Sequence, residues 1–209
     1  IPPVRAEEPP QYGERRVRVE RPGTTAYFLA VYHVPAARHP DFFPLVVLDA
    51  VLSGAKPMSI SAPSASNRTS RLYRALVDTQ LAVAATSSFG PTLDPGLFSF
   101  VATVRAGHSL EEVEEALFAE VERVVREPVA EEELARVLKQ TRAQFAYSAE
   151  GVTNQAFWLG RMELIGSYTF LDTFLDNLSR VTAEDVQRVA AEYLTPRNRT
   201  VGWFVPLEV

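Results

Sequence analysis

The alternation of hydrophobic and polar positions predicts strands early in the chain and helices in its second half. Residues 16–20 alternate charged and apolar side chains, which is typical of a strand with one solvent-facing side. Residues 25–34 carry aromatic and β-branched side chains on both faces, which predicts a central strand. Residues 81–89 and 97–104 predict an antiparallel pair, because turn-forming Gly and Pro residues separate them. Residues 200–205 predict a closing strand.

Capping signals predict where the helices begin and end. Asp41 is expected to cap the first helix, which Gly54 ends. Ser109 and Glu112 form a capping box before a helix with a regular apolar stripe, and Thr182 caps the last helix. Further helices are predicted from apolar periodicity over residues 71–77, 130–148 and 157–164.

Strands followed by helices favour an α+β fold over an alternating parallel one. Residues 1–14 are rich in Pro and charged side chains, and they predict an extended linker before a single domain over residues 15–209. Residues 55–67 are rich in Ser, Pro and Ala and predict a long loop. Such loops line functional surfaces or are mobile insertions, and both readings stay open.

Composition excludes several classes of protein. The 209 residues carry a net charge of −5, which argues against a nucleic-acid binder, and the early arginines are offset by nearby glutamates. The chain has no cysteine, so disulfides and thiolate metal sites are excluded. We expect no membrane span, because the longest apolar stretch, residues 42–52, is too short and contains Pro44 and Asp49. The compartment stays open between cytoplasm and periplasm.

The sequence contains no recognisable catalytic or ligand-binding motif. The three histidines, His33, His39 and His108, are too far apart to form H-E-x-x-H or H-x-x-E-H, and each falls at the end of a predicted element. The dense glutamates at residues 111–115 and 131–133 are interpreted as solvated helix starts. No nucleophile elbow or phosphate-binding glycine loop is present. We therefore assign no catalytic, cofactor-binding or metal-binding residue.

Several segments, in this order, resemble the C-terminal domain of the pitrilysin and mitochondrial-processing-peptidase family, the inverted-motif zinc metallopeptidases of peptidase family M16. The resemblance spans about residues 16–205. It is carried by Val34-Pro35-Ala36, His39-Pro40-Asp41, Val51-Leu52-Ser53-Gly54, Ser70-Arg71-Leu72-Tyr73-Arg74-Ala75-Leu76-Val77, the stretch from Phe145 to Leu159, and Val181-Thr182-Ala183-Glu184-Asp185-Val186 continuing to Tyr193-Leu194.

The resemblance implies an antiparallel sheet of about six strands with helices packed on one face, the processing-peptidase or LuxS-like metallohydrolase fold. It implies a non-catalytic domain of a zinc-dependent metalloendopeptidase subunit that forms part of a peptide-enclosing chamber. Zinc is then expected in an N-terminal domain of the same polypeptide or in a homologous partner subunit of a homo- or heterodimer, with unfolded peptide as substrate. The alternative is a structural or assembly subunit without a proteolytic role. Alone, the chain is predicted to be inactive.

The family's substrate-holding pair, an Arg followed seven residues later by a Tyr, is missing at the positions that the resemblance implies. Those positions are Val77 and Ala84, and neither side chain can bind a peptide carbonyl. Two interpretations remain open. The chain is a domain of a zinc-bearing subunit whose substrate pair lies on a partner, or it belongs to a subunit that has lost both features.

Overall fold

A computed structural model describes residues 9–56, 68–148 and 150–207. Its strands are β1 (Arg15–Pro22), β2 (Tyr27–Val34), β3 (Ala82–Ser88), β4 (Gly96–Val104) and β5 (Arg199–Leu207). They form one sheet in the order β1-β5-β2-β4-β3, so the prediction that β2 is central is confirmed. The predicted loop over residues 55–67 lies outside the described residues except for Ala55 and Lys56.

The sheet differs in two respects from the antiparallel sheet of about six strands expected by resemblance. The described residues form five strands, and one pair, β1 with β5, is parallel. The parallel pair arises because β5 inserts between the two earliest strands. It runs antiparallel to β2, and β1 also runs antiparallel to β2, so β1 and β5 share one direction.

The helices pack on one face of this sheet, which confirms the α+β class. They are α1 (Phe42–Ser53), α2 (Leu110–Arg126), α3 (Glu131–Ser148), α4 (Val152–Ile165), α5 (Phe170–Ser179) and α6 (Ala183–Tyr193), with a π-helical turn at Tyr73–Val77 and a 3-10 turn at Pro196–Asn198. The capping box of Ser109 and Glu112 is confirmed, and so is the Thr182 cap, which pairs with Asp185.

The core lies between the helices and the inner face of the sheet. The inner side chains of β2 and β4 are buried, and Tyr32 meets Phe100 edge to face with ring centres 5.9 Å apart. The apolar stripe of α2 covers this layer, since its residues recur every three or four positions and so share one helix face. The stripe consists of Leu110, Val113, Leu117, Val121 and Val124, all buried as the pattern predicts.

Helix α5 has no counterpart among the elements predicted from the sequence. It presents Phe170, Phe174 and Leu178 at intervals of four, the spacing of one helix face. Phe170 stacks on Phe43 of α1 with ring centres 5.4 Å apart, and Phe174 stacks on Phe145 of α3 at 4.8 Å. The helix therefore closes the core at the side where α1 and α3 meet.

The predicted capping role of Asp41 is wrong. Its side chain makes no hydrogen bond to the first turn of α1. Instead its buried carboxylate accepts hydrogen bonds from Arg188 Nη2 at 2.6 Å and from the Tyr193 hydroxyl at 2.8 Å. Two charged or polar partners on α6 satisfy the carboxylate better than one backbone amide, so Asp41 joins the start of α1 to α6.

Asp41→Ala should lower the free energy of unfolding by about 2 kcal/mol, because Arg188 and Tyr193 lose their buried acceptor. Urea denaturation followed by circular dichroism measures the change. The matched control is Asp94→Ala, which removes an exposed carboxylate in a turn and should shift stability by less than about 0.5 kcal/mol. Equal effects of the two substitutions would contradict a structural role for Asp41.

The free energy of unfolding should also depend on pH through the Asp41 carboxylate. Burial acts to raise the pKa of Asp41, but hydrogen bonds from Arg188 and Tyr193 outweigh it and hold the native pKa below the ordinary 3.8. Because the pKa of Asp41 is lower in the native state than in the unfolded state, its ionised form stabilises the fold at pH values above the unfolded-state pKa. This stabilisation is lost as the pH falls toward the native pKa. Between about pH 5 and pH 3, Asp41→Ala should therefore lose less stability than the wild type.

Candidate functional site

The face of the sheet opposite the helices is exposed, and we call it the open face. The strand register fixes which side chains lie on it, because alternate residues of paired strands point the same way. On the three central strands it is formed by Tyr27, Leu29, Val31 and His33 of β2, by Leu97, Ser99, Val101 and Thr103 of β4, and by Thr200, Gly202, Phe204 and Pro206 of β5.

The open face is apolar at its centre. Leu29 is 40% exposed, Leu97 49% and Val101 38%, although such side chains are ordinarily buried. These central strands place no Asp, Glu, Lys or Arg on this face within the described residues. Exposed apolar side chains on adjoining strands make the open face the candidate interaction surface.

Strand β1 extends the open face to one edge of the sheet. Its register with β5 places Val17 and Val19 beside Gly202 and Phe204, between two arginines, Arg15 and Arg21. All eight residues of β1 are exposed, so the predicted strand with a single solvent-facing side is wrong. The contact that β1 makes with a helix on its inner side is the ion pair of Arg16 with Glu114 of α2, and the strand otherwise remains exposed.

The two positions of the missing substrate pair differ in location. Val77 is partly buried at the end of the π-helical turn, whereas Ala84 is exposed on β3. The register pairs Ala84 with Thr103, so Ala84 lies on the open face. A short methyl side chain at this position leaves the surface without a hydrogen-bonding group of its own.

The three histidines do not converge in space. His33 lies at the end of β2, with its Nδ1 3.3 Å from Asn198 Oδ1. His39 Nδ1 accepts the backbone N–H of Asp41 at 3.2 Å, and His108 Nδ1 lies 3.4 Å from Glu112 Oε2 at the start of α2. Over residues 9–56, 68–148 and 150–207, no three His, Cys, Asp or Glu residues come together in a group that could hold a metal ion. That no residue of the chain serves catalysis, a cofactor or a metal remains a prediction.

The interpretation of both glutamate clusters as solvated is wrong for one member of each. Glu114 is only 13% exposed and accepts hydrogen bonds from Trp203 Nε1 at 2.8 Å and from Arg16 Nη1 at 3.1 Å. Glu133 is 18% exposed and pairs with Arg71 at 2.7 Å. Both carboxylates face the protein rather than solvent, because long-range cations meet them there.

A cleft of about 300 Å³ lies between α1, α3, α4 and α5, with aromatic walls and one ion pair. The pair joins the buried Asp49 carboxylate of α1 to Lys56 Nζ at 2.5 Å. Ser87 Oγ donates to the same carboxylate at 2.5 Å and is itself 1% exposed. Ser87 is therefore a buried donor that joins β3 to α1, not an accessible nucleophile. The aromatic walls are Phe42, Phe89, Phe145, Trp158, Phe170 and Phe174.

Comparison with known proteins identifies the fold's family. Residues 1–141, more than half of the chain, match a family model described as the peptidase M16 inactive domain. The chain belongs to the peptidase M16 inactive-domain family. This confirms the resemblance noted in the sequence. No curated protein matches the chain. None of the helices in the described part of this M16 inactive domain is long and apolar enough to cross a membrane.

Solved structures extend the comparison. A protease from Helicobacter pylori matches with a TM-score of 0.88 and 24% identity over 99% of the M16 inactive domain, a likeness in fold. A proposed zinc protease from Bordetella pertussis Tohama I matches with a TM-score of 0.74 and 29% identity over 87% of the chain and 94% of its own length. The inactive peptidase domain of a proposed zinc protease from Bordetella parapertussis matches with a TM-score of 0.74 and 28% identity, over 90% of the chain and 97% of its own length. The chain spans about half, 48%, of the Helicobacter protein.

Neighbouring residues on β4 test which face of the sheet is covered. Val101→Lys should change the free energy of unfolding by less than about 1 kcal/mol, because Val101 lies on the open face and the ammonium group stays in water. Ala102→Lys should lower it by more than about 3 kcal/mol, because Ala102 is fully buried and the core would have to accept an unpaired charge. Urea denaturation measures both. Similar losses for the two variants would show that both faces are covered.

Proposed function

We propose that this M16 inactive domain is the non-catalytic domain of a zinc-dependent metalloendopeptidase and that its open face forms part of the wall of a peptide-enclosing chamber. The observation that carries the proposal is the uncovered, apolar centre of the sheet. Unfolded peptides expose apolar side chains, and a wall of Leu, Val, Tyr and Phe side chains binds them through loss of water-exposed apolar area. The Ser and Thr hydroxyls between these side chains can also bond peptide backbone groups.

The chemistry is then supplied by another domain. A catalytic zinc site needs about three protein ligands and an open position, and the described residues place no such group together. We propose that the zinc is held by an N-terminal domain of the same polypeptide or by a homologous partner subunit, with which the chain forms a homo- or heterodimer. The Helicobacter match supports this arrangement, because a chain that spans 48% of that protease leaves room in it for a second domain of similar size.

A structural subunit without a proteolytic role is the alternative. In that case the open face would be a permanent contact with another subunit, and no zinc would be bound by the polypeptide. Both functions use the same apolar surface, so the surface alone does not separate them. Metal content and peptide hydrolysis by the full-length polypeptide do.

Metal analysis tests whether zinc is bound by another domain and not by this chain. The purified 209-residue chain should contain no stoichiometric zinc, and the full-length polypeptide or its complex should contain about one zinc per active site. A chelator should abolish peptide hydrolysis by the full-length protein without unfolding this chain. Stoichiometric zinc held by the chain alone would overturn the proposal, and a zinc-free full-length protein would favour the structural subunit.

A charge on the open face tests its part in the chamber. Leu29→Glu in the full-length polypeptide should lower kcat/KM for apolar peptides about tenfold, because the wall would carry a charge where apolar side chains must dock. Zinc content and circular dichroism should not change, since Leu29 is 40% exposed. Ala119→Glu, on the exposed side of α2, is the matched control and should leave activity within about twofold. Full activity of Leu29→Glu would exclude the open face as chamber wall.

A further inference from the structure

The segment that leads into β1 is attached to the domain by a cluster of alternating charges, which we call the clamp: Glu14, Arg16, Glu114 and Arg199. Glu14 Oε2 accepts from Arg199 Nε at 2.6 Å, and Glu14 Oε1 pairs with Arg16 Nε at 2.5 Å. Arg16 also forks onto both carboxylate oxygens of Glu114 on α2. The clamp therefore joins the entry of β1 to the start of β5 and to α2.

Three of the four clamp side chains are shielded from solvent, whereas Arg16 is 49% exposed. The side chains of Glu14, Glu114 and Arg199 are 22%, 13% and 14% exposed, whereas those of Arg18 and Glu20 are 56% and 49% exposed. Exposed pairs contribute little, but partly buried charge-assisted hydrogen bonds hold a fixed geometry.

Two neighbours fix the clamp further. The guanidinium of Arg199 lies 3.8 Å from the ring centre of Phe118. This contact restricts the orientation of the guanidinium toward Glu14. Gln11, which shortly precedes Glu14 in the chain, donates from Nε2 to the backbone carbonyl of Arg199 at 2.7 Å. Burial acts to raise the pKa of Glu14, but the hydrogen bonds from Arg199 and Arg16 outweigh it and keep the pKa below the ordinary 4.5, so the carboxylate is ionised at neutral pH.

Strand β1 itself offers the entering chain no packing, because all eight of its residues are exposed at the edge of the sheet. Apart from the backbone pairing of β1 with β5, the entering chain contacts the domain through the clamp, through Gln11, and through the Tyr12 ring, which lies 5.4 Å from the Arg197 guanidinium. We propose that the clamp is an orienting anchor: it holds the polypeptide that precedes β1 in one direction, and so fixes the position of the preceding domain relative to the open face. The proposal rests on the proposed function, which places a zinc-bearing domain before this one.

The test uses spin labels in the full-length polypeptide, in which the 209-residue chain contributes no native cysteine. One nitroxide at Gly13→Cys reports local mobility, and this site accepts a side chain because nothing lies within 4 Å of the place that a Cβ atom would occupy. A separate pair, at Ala119→Cys and on the preceding domain, reports the interdomain distance. Glu14→Ala is compared with Glu20→Ala, which removes the same charge from the exposed pair that lies on β1.

Glu14→Ala should mobilise the label at position 13 and widen the interdomain distance distribution about twofold, because an unclamped linker samples more directions. Glu20→Ala should change neither. A distribution that stays narrow in Glu14→Ala overturns the proposal, even if the local label becomes mobile, and so does an equal effect of Glu20→Ala. Failure of the proposed function shows separately, as absence of zinc from the full-length polypeptide, and the label at position 13 still decides whether Glu14 holds the segment.

Discussion

The structure depends on the packing of its helices against only one side of the sheet. Strand β2 shows the consequence most clearly, because it is apolar on both sides but only one side, Phe28, Ala30, Tyr32 and Val34, is enclosed. Tyr27 and Leu29 remain more than a third exposed in the middle of the sheet. Burying apolar area is worth roughly 25 cal/mol per Å², so an apolar face left in water forgoes stabilisation that contact with another surface would supply. The fold thus has one core of its own and one surface suited to a partner.

Three shielded carboxylates lie where helices meet each other or the sheet, and each has a cation beside it. Asp41 joins α1 to α6, Asp49 joins α1 to β3, and Glu114 joins α2 to the edge strand β1. A buried carboxylate without a partner would be costly, whereas one held by two donors fixes the relative position of two elements. These pairs therefore determine how elements are placed, while the aromatic and aliphatic core provides most of the stabilisation.

The sequence predicted correctly those features that depend on residues close together in the chain. The capping boxes at Ser109 and Thr182, the stripe of α2 and the two-sided apolar pattern of β2 all depend on residues a few positions apart. The role of Asp41 was predicted wrongly because its partners lie 147 and 152 residues later, where no local rule applies. The insertion of β5 beside β1 and the clamp at Glu14 were not predicted for the same reason, because both join residues that are far apart in the chain. Helix α5 did carry a periodic signal, Phe170, Phe174 and Leu178, that the sequence-based prediction missed.

The chemistry of the open face bears on what it can recognise. Among the described residues, its Arg, Lys, Asp and Glu side chains are confined to the edge, at Arg15 and Arg21, and the central strands carry Tyr, Leu, Val, Phe, Ser and Thr together with His33 at the end of β2. Such a surface has no fixed ion to demand a complementary residue at a given position, so it discriminates weakly between sequences. The exposed methyl of Ala84 extends this character, because no side-chain donor or acceptor projects there. If the open face forms the chamber wall that we propose, its composition suits the enclosure of unfolded peptides of varied sequence, and the choice of the cleaved bond would then lie with the proposed metal-holding domain.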